Sequence, residues 1–172
     1  MDYIYNYQSP IGKIILGSDG SALIGLWFKN EKYFADTLSD EYTEKYLPIF
    51  QETIKWLDIY FSGSIPNFTP PILMRGSKFR KAVWKLLLNI PYGKVVTYKD
   101  IALEIAHEMN ISKMSAQAVG GAVGHNPISI IVPCHRVIGS NNSLTGYAGG
   151  LDKKLYLLNS EGVDTSNLFM PQ

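Results

Sequence analysis

Residues 97–124 read TYKDIALEIAHEMNISKMSAQAVGGAVG, and the fold of the second half of the chain turns on them. Thr97 is a residue type that caps helix N-termini, and Asp100 three positions on gives a capping-box-like spacing. Ile101, Ala102, Ile105 and Met109 then fall on one inner face. A polar loop follows, and Ser115 opens a short helix, Ala116 to Val123, built of small residues. Two helices joined by a loop predict a helix-turn-helix. Upstream, Ser77 caps a helix with Phe79, Val83, Leu86 or Leu87, and Ile90 on its apolar face, broken by Pro91-Tyr92-Gly93. Downstream, Leu151, Leu155 and Leu158 mark a last helix that stops at Glu161-Gly162. Three prolines within Ser64 to Pro71 cannot continue a helix and read as an interdomain linker. Before them, Leu47, Phe50, Ile54, Leu57 and Phe61 recur at helical steps after Pro48. Tyr3 to Tyr7, Lys13 to Gly17 and Ala22 to Phe28 are short apolar and aromatic runs separated by turn residues, an antiparallel meander. The organisation expected is an N-terminal α/β domain with its linker over 1–74 and a helical domain over 75–172.

The charge follows the same division. Residues 1–74 carry 5 Lys/Arg against 9 Asp/Glu, and residues 75–160 carry 11 against 4, although the whole chain is only +1. A basic second unit is the footprint of a polyanion partner or a solvated basic face. With 46% hydrophobic residues over 172, disorder, collagen and coiled coil are excluded, and the chain can bury a core. No apolar run reaches the roughly 18 residues of a membrane span. The N-terminus lacks a basic region followed by an apolar one, so a cytoplasmic protein is expected. The single cysteine, Cys134, excludes an internal disulfide and a multi-cysteine zinc site. No metal or organic cofactor is indicated.

The chemistry concentrates in Ile130-Ile131-Val132-Pro133-Cys134-His135-Arg136-Val137-Ile138-Gly139. Pro133 ends an apolar run in a rigid turn. His135 offers a base for a thiol proton, and Arg136 offers positive charge that favours a thiolate. Further on, Thr145-Gly146-Tyr147-Ala148-Gly149-Gly150 places three glycines around a tyrosine. That composition suits either close approach of backbone to a ligand or a glycine-rich hairpin turn. The small residues of the 116–123 helix suit either close approach to another surface or tight packing on a neighbouring helix. Asn126-Pro127 favours a turn.

Together these motifs resemble the O6-alkylguanine-DNA alkyltransferases, the methylated-DNA–protein-cysteine methyltransferases. The resemblance is carried by Pro133-Cys134-His135-Arg136-Val137, Gly120-Gly121-Ala122 leading to Asn126-Pro127, Thr145 to Gly150, and Leu157-Leu158-Asn159-Ser160-Glu161-Gly162. It spans residues 79–162. It implies an α/β protein: a small ribonuclease-H-like N-terminal domain with an antiparallel sheet, and a helical C-terminal domain with a winged helix-turn-helix. It implies a reaction in which an alkylated guanine is flipped from duplex DNA and its O6-alkyl group passes irreversibly to Cys134, one transfer per chain, with O4-alkylthymine left open as a further substrate. His135 acts through a water as base, Glu161 orients His135, Tyr98 donates to guanine N3 and Asn126 is the hinge. Val137, Tyr147, Ala148, Gly149 and Val123 match the base pocket. Gln117, Ala116, Ala118, Gly120, Gly121, Tyr98 and Arg136 match the DNA face, which in this family enters the minor groove. The partner implied is double-stranded DNA carrying the lesion, met by a monomer with no membrane attachment.

Two positions depart from the family pattern. Gln117 stands where an arginine commonly fills the gap left by the flipped base, and Ala148 stands where some members carry serine. Two other classes fit parts of the same sequence: a DNA-binding protein that does no chemistry, and a thiol hydrolase using Cys134, His135 and Glu161.

Overall fold

A computed structural model of the chain describes residues 1–169; the last three positions of the expected 75–172 unit lie outside them. Two compact units emerge. The first holds Met1–Gly76 and Pro127–Ile131, and the second holds Ser77–Asn126 and the chain from Val132 onward. Where the sequence suggested a division after residue 74, the first unit runs on to Gly76 and also takes back five residues from the middle of the second half.

In the first unit β1 (Asp2–Ser9), β2 (Gly12–Ser18) and β3 (Leu23–Phe28) form the antiparallel meander. Its turns follow from local side chains. Ser9 Oγ accepts from Ile11 N at 3.1 Å, and Asp19 Oδ1 accepts from Ser21 N and Ala22 N at 2.9 Å. Gly25 has no substitute, because a Cβ there would lie 1.9 Å from the Trp27 ring. A fourth strand, β4 (Tyr42–Glu44), pairs in parallel with β1, giving the order β3-β2-β1-β4. The expected antiparallel meander is therefore joined at one edge by a parallel strand.

Helix α1 (Pro48–Phe61) starts with proline in its first turn, as expected. Its buried face is Ile49, Phe50, Thr53, Trp56, Leu57 and Tyr60. The expected stripe of Leu47, Phe50, Ile54, Leu57 and Phe61 is rotated, because burying Trp56 and Tyr60, stacked at 5.3 Å, removes more apolar area from water. Thr53 tolerates that face by donating to Ile49 O at 2.8 Å. Arg75 closes the unit on the first strand, with Nη1 at 2.7 Å and Nη2 at 3.1 Å from the Asp2 carboxylate. In Pro127–Ile131, Leu26 N donates to Pro127 O and Ser129 N to Leu26 O, so the segment runs against β3. It is not an extended run. Ile130 sits at φ +71°, in a tight turn where Ile131 N reaches Ser129 O at 2.8 Å.

The second unit is built on α2 (Lys78–Leu87), α3 (Tyr98–Glu108), α4 (Ala116–Gly124) and α5 (Leu151–Ser160), with a two-residue parallel pair, β5 (Val96–Thr97) and β6 (Val137–Ile138). Ser77, Thr97 and Ser115 cap α2, α3 and α4 with their side chains, and Thr97 with Asp100 completes the capping box. Val83, Trp84 and Leu87 of α2 are buried, and Trp84 Nε1 donates to Ala122 O at 2.7 Å, fastening α2 to α4. Met109 does not join the inner face of α3. It follows the last helical residue and is 47% exposed. On α5 the buried residues are Lys154, Leu157 and Leu158, with Leu151 and Leu155 half-buried. The expected leucine face gives way to a buried lysine whose head finds backbone partners.

Candidate active site

Cys134 opens a three-residue 3-10 turn, Cys134–Arg136, and is 6% exposed. Pro133, at φ −83° and ψ 64°, lets Cys134 N donate back to Val132 O at 2.8 Å, a tight turn that proline's fixed φ favours. Asn126 Nδ2 donates to the same Val132 carbonyl at 2.7 Å, tying the end of α4 to the turn that carries the thiol. Val137 N donates to Cys134 O and closes the turn.

Beside it lies a buried charged cluster. His135 Nε2 is 2.6 Å from Glu161 Oε2, and neither side chain is exposed. Arg136 Nε donates to Glu161 Oε1 at 2.8 Å, its Nη2 to Oε2 at 3.1 Å, and Gly93 N also reaches Oε1 at 3.0 Å. Four donors thus converge on one carboxylate, and a carboxylate so held sets the imidazole tautomer: Nε2 carries the hydrogen and Nδ1 the lone pair. Nδ1 has no hydrogen-bond partner among the described residues. Burial pushes the His135 imidazole below its ordinary value, so it stays neutral and able to accept a proton. Arg136, expected at the DNA face, is instead buried. Its third donor goes to Ile90 O at 2.8 Å, so its work is to hold Glu161.

Tyr98 Oη donates to Thr145 O at 3.0 Å and reaches Gly146 O at 3.3 Å. Burial, with the charge of Cys134, pushes its hydroxyl well above the usual tyrosine range, so it keeps its hydrogen and stays a hydrogen-bond donor. Gly146, at φ +69°, is obligatory: a Cβ would lie 2.9 Å from Tyr98 Oη. Lys154, missed in the sequence, is fully buried. Its Nζ donates to Val137 O at 2.5 Å and to Thr145 O at 2.7 Å. Burial pushes the ammonium down to about 8, opposed by attraction to Cys134. One cation therefore pins both the strand after the thiol turn and the glycine-rich loop.

A groove of about 780 Å³ is lined by Tyr98, Lys99, the exposed Ala116 and Gln117, Gly120 of α4, and the 139–146 loop with Phe169. Ala118 and Gly121 are also exposed on α4, whereas Val119, Ala122 and Val123 face inward. The α4 surface therefore presents backbone and one long side chain, Gln117. Val123 is a core residue of α4, not a groove wall, and Tyr147, Ala148 and Gly149 are half-buried in the loop before α5. Among the described residues no group of three or more His, Cys, Asp or Glu could hold a metal ion, and no helix is long and apolar enough to cross a membrane.

The chain matches two family models: residues 3–74 the "6-O-methylguanine DNA methyltransferase, ribonuclease-like domain", and residues 78–163 the "6-O-methylguanine DNA methyltransferase, DNA binding domain". It is 38% identical over 162 residues to the methylated-DNA–protein-cysteine methyltransferase of Haemophilus influenzae, covering 94% of this chain and 87% of the relative. It is 43% identical to that of Methanosarcina barkeri, covering 90% and 93%. Among solved structures, the O6-methylguanine methyltransferase of Mycobacterium tuberculosis superposes with a TM-score of 0.79 at 40% identity, covering 94% and 93%. The same organism's protein in complex with DNA gives 0.79 at 38% identity, covering 96% and 94%.

Proposed function

Since the chain belongs to the 6-O-methylguanine DNA methyltransferase family, we propose that it repairs DNA with Cys134 as the acceptor of the alkyl group, once per molecule. The protein is a methylated-DNA–protein-cysteine methyltransferase, and DNA is its partner. The observation that carries the residue-level reading is the His135–Glu161 contact, which leaves the Nδ1 lone pair as the basic atom of the ring.

The steps follow from these groups. His135 Nδ1 takes the Cys134 proton through a water, and Glu161 and Arg136 hold the ring for that transfer. The thiolate attacks the alkyl carbon of a guanine rotated out of the stack. The C–O6 bond breaks as the S–C bond forms, and the electron pair passes to the guanine. Tyr98 supplies a proton at N3 and is restored, through solvent, by the proton that His135 took from the thiol, so the thiol proton ends on the released base. The thioether is not reversed, because an alkyl sulfide is inert to water and a thiolate is a poor leaving group from it. Asn126 holds the hinge between α4 and the thiol turn. Val137 and the Tyr147-Ala148-Gly149 backbone line the base pocket. Ala116, Ala118, Gly120 and Gly121 bring α4 close to the minor groove, and Gln117 enters the stack in place of the flipped base. A monomer acting in the cytoplasm on O6-alkylguanine, with O4-alkylthymine open, completes the reading.

Incubation with excess O6-benzylguanine followed by intact mass tests it. A gain of one benzyl group per chain, abolished by Cys134→Ala, is expected. Continued turnover would instead identify a thiol hydrolase, and an unchanged mass a protein that binds lesions without chemistry.

A further inference from the structure

After α5 the chain doubles back on the groove. Thr165 Oγ1 donates to Asn159 Oδ1 at 2.6 Å, and Ser166 N to Asp164 Oδ1 at 3.0 Å, shaping the turn. Phe169 then forms an isolated parallel bridge with Ser143: Leu144 N donates to Phe169 O at 2.8 Å, and Phe169 N to Asn142 O at 3.2 Å. Both backbone groups of this residue are therefore held by the 139–146 loop. Phe169 is nevertheless 48% exposed and lines the groove shared with Tyr98, Gln117 and Gly120. The other aromatic of that groove, Tyr98, is mostly buried with its hydroxyl engaged, which leaves Phe169 as its exposed ring.

We propose that Phe169 is a DNA-contacting residue: its ring packs on the base or deoxyribose of the nucleotide flanking the flipped guanine and holds the strand while the lesion is out of the stack. Every base has a π-face, so stacking on an aromatic ring is tolerant of sequence, which suits a protein whose lesions occur in any sequence context. Lys99 in the same groove supplies charge for a phosphate, and phosphate contacts position without reading sequence. Two hydrogen bonds hold the Phe169 backbone, so only side-chain freedom is lost when the ring meets the strand. The inference rests on the DNA-repair reading above.

Parent protein, Phe169→Ala and Phe169→Trp are compared on a duplex carrying O6-methylguanine and on free O6-benzylguanine, with alkyl gain followed by intact mass against time. Phe169→Ala is expected to slow the duplex reaction about tenfold, the effect of losing one stacked base. Phe169→Trp is expected to restore it to within about twofold, because the ring is the active feature. With free base, where no strand is held, all three should react at closely similar rates. Equal duplex rates for parent and Phe169→Ala overturn the proposal, and so does an equal loss on both substrates, which marks a structural role. If the parent takes alkyl from neither substrate, the alkyl-transfer reading fails, and this proposal with it.

Discussion

His135 Nε2 and Glu161 Oε2 stand 2.6 Å apart with both side chains fully buried, and the same carboxylate is gripped by Arg136 and Gly93. A buried carboxylate with this many donors fixes the imidazole in one tautomer. Removing its charge therefore changes which ring nitrogen can act as base, without removing the ring.

Glu161→Gln is expected to slow alkyl transfer to Cys134 by at least about a hundredfold, at the low end of what loss of an oriented general base costs. The amide can present its NH2 to His135 Nε2, which would place the hydrogen on Nδ1 and remove the acceptor there. Single-turnover kinetics on O6-benzylguanine reads this directly. A rate within about fivefold of the parent would separate His135 from the proton transfer.

The His135 shift also carries a pH signature. Burial lowers the folded-state value below the ordinary 6.5, so below 6.5 the unfolded chain binds a proton that the folded protein does not. Stability therefore falls as pH drops from 6.5 toward the folded value, and is fully present above 6.5. The acid limb of the transfer rate should lie below 6.5 for the same reason. Urea midpoints at pH 5 and 7 for the parent and for His135→Phe test it: the drop toward pH 5 should shrink in the variant.

Lys154 offers a second linkage of different origin. Its ammonium is pushed down to about 8, so between 8 and 10.5 the unfolded chain holds a proton that the folded protein has released. Stability attributable to this residue rises with pH through that window. Lys154→Met keeps the length of the side chain and removes the donor from the Val137 and Thr145 carbonyls. The variant should lose about 2–4 kcal/mol at pH 7, because two buried acceptors are left unsatisfied. It should also lose the alkaline gain. An unchanged urea midpoint would show that these carbonyls find other donors.

How legible the molecule was in its sequence depends on whether the signal was local. Ser77, Thr97, Asp100 and Ser115 bond within four residues of themselves, and each cap reads correctly. Cys134 and His135 stood out from their own sequence context, whereas Glu161 was reached only through a family resemblance, since 26 positions separate it from His135. Lys154 was not legible: beside Lys153 it looks like a solvated pair, and the backbone carbonyls of Val137 and Thr145 make its burial possible. Gly93 contributes a backbone N–H that no residue type announces. The strand β4 is three exposed residues without periodicity. Phe169 joins the groove through backbone pairing alone. Arg136 shows the opposite error, a basic residue in a basic unit assigned outward when its partners lie inside.

Gln117 is exposed on α4, lines the groove, and stands where the family commonly places arginine. Extruding a base costs a few kcal/mol of unstacking and unpairing, and a side chain entering the stack recovers part of it. Arginine does so with a planar cation that stacks and attracts phosphates, whereas glutamine offers hydrogen bonds only. Gln117→Arg should therefore tighten binding to duplex DNA and speed repair of a duplex lesion, by about three- to tenfold for a gain of roughly 1 kcal/mol. Gln117→Ala should slow it to a similar extent. Neither should alter the reaction with free O6-benzylguanine, because nothing is flipped and Cys134, His135 and Glu161 are untouched. Time courses on the two substrates thus separate flipping from chemistry. Equal duplex rates for all three proteins would remove Gln117 from the stack, and with it the assignment of α4 as the helix that enters the groove.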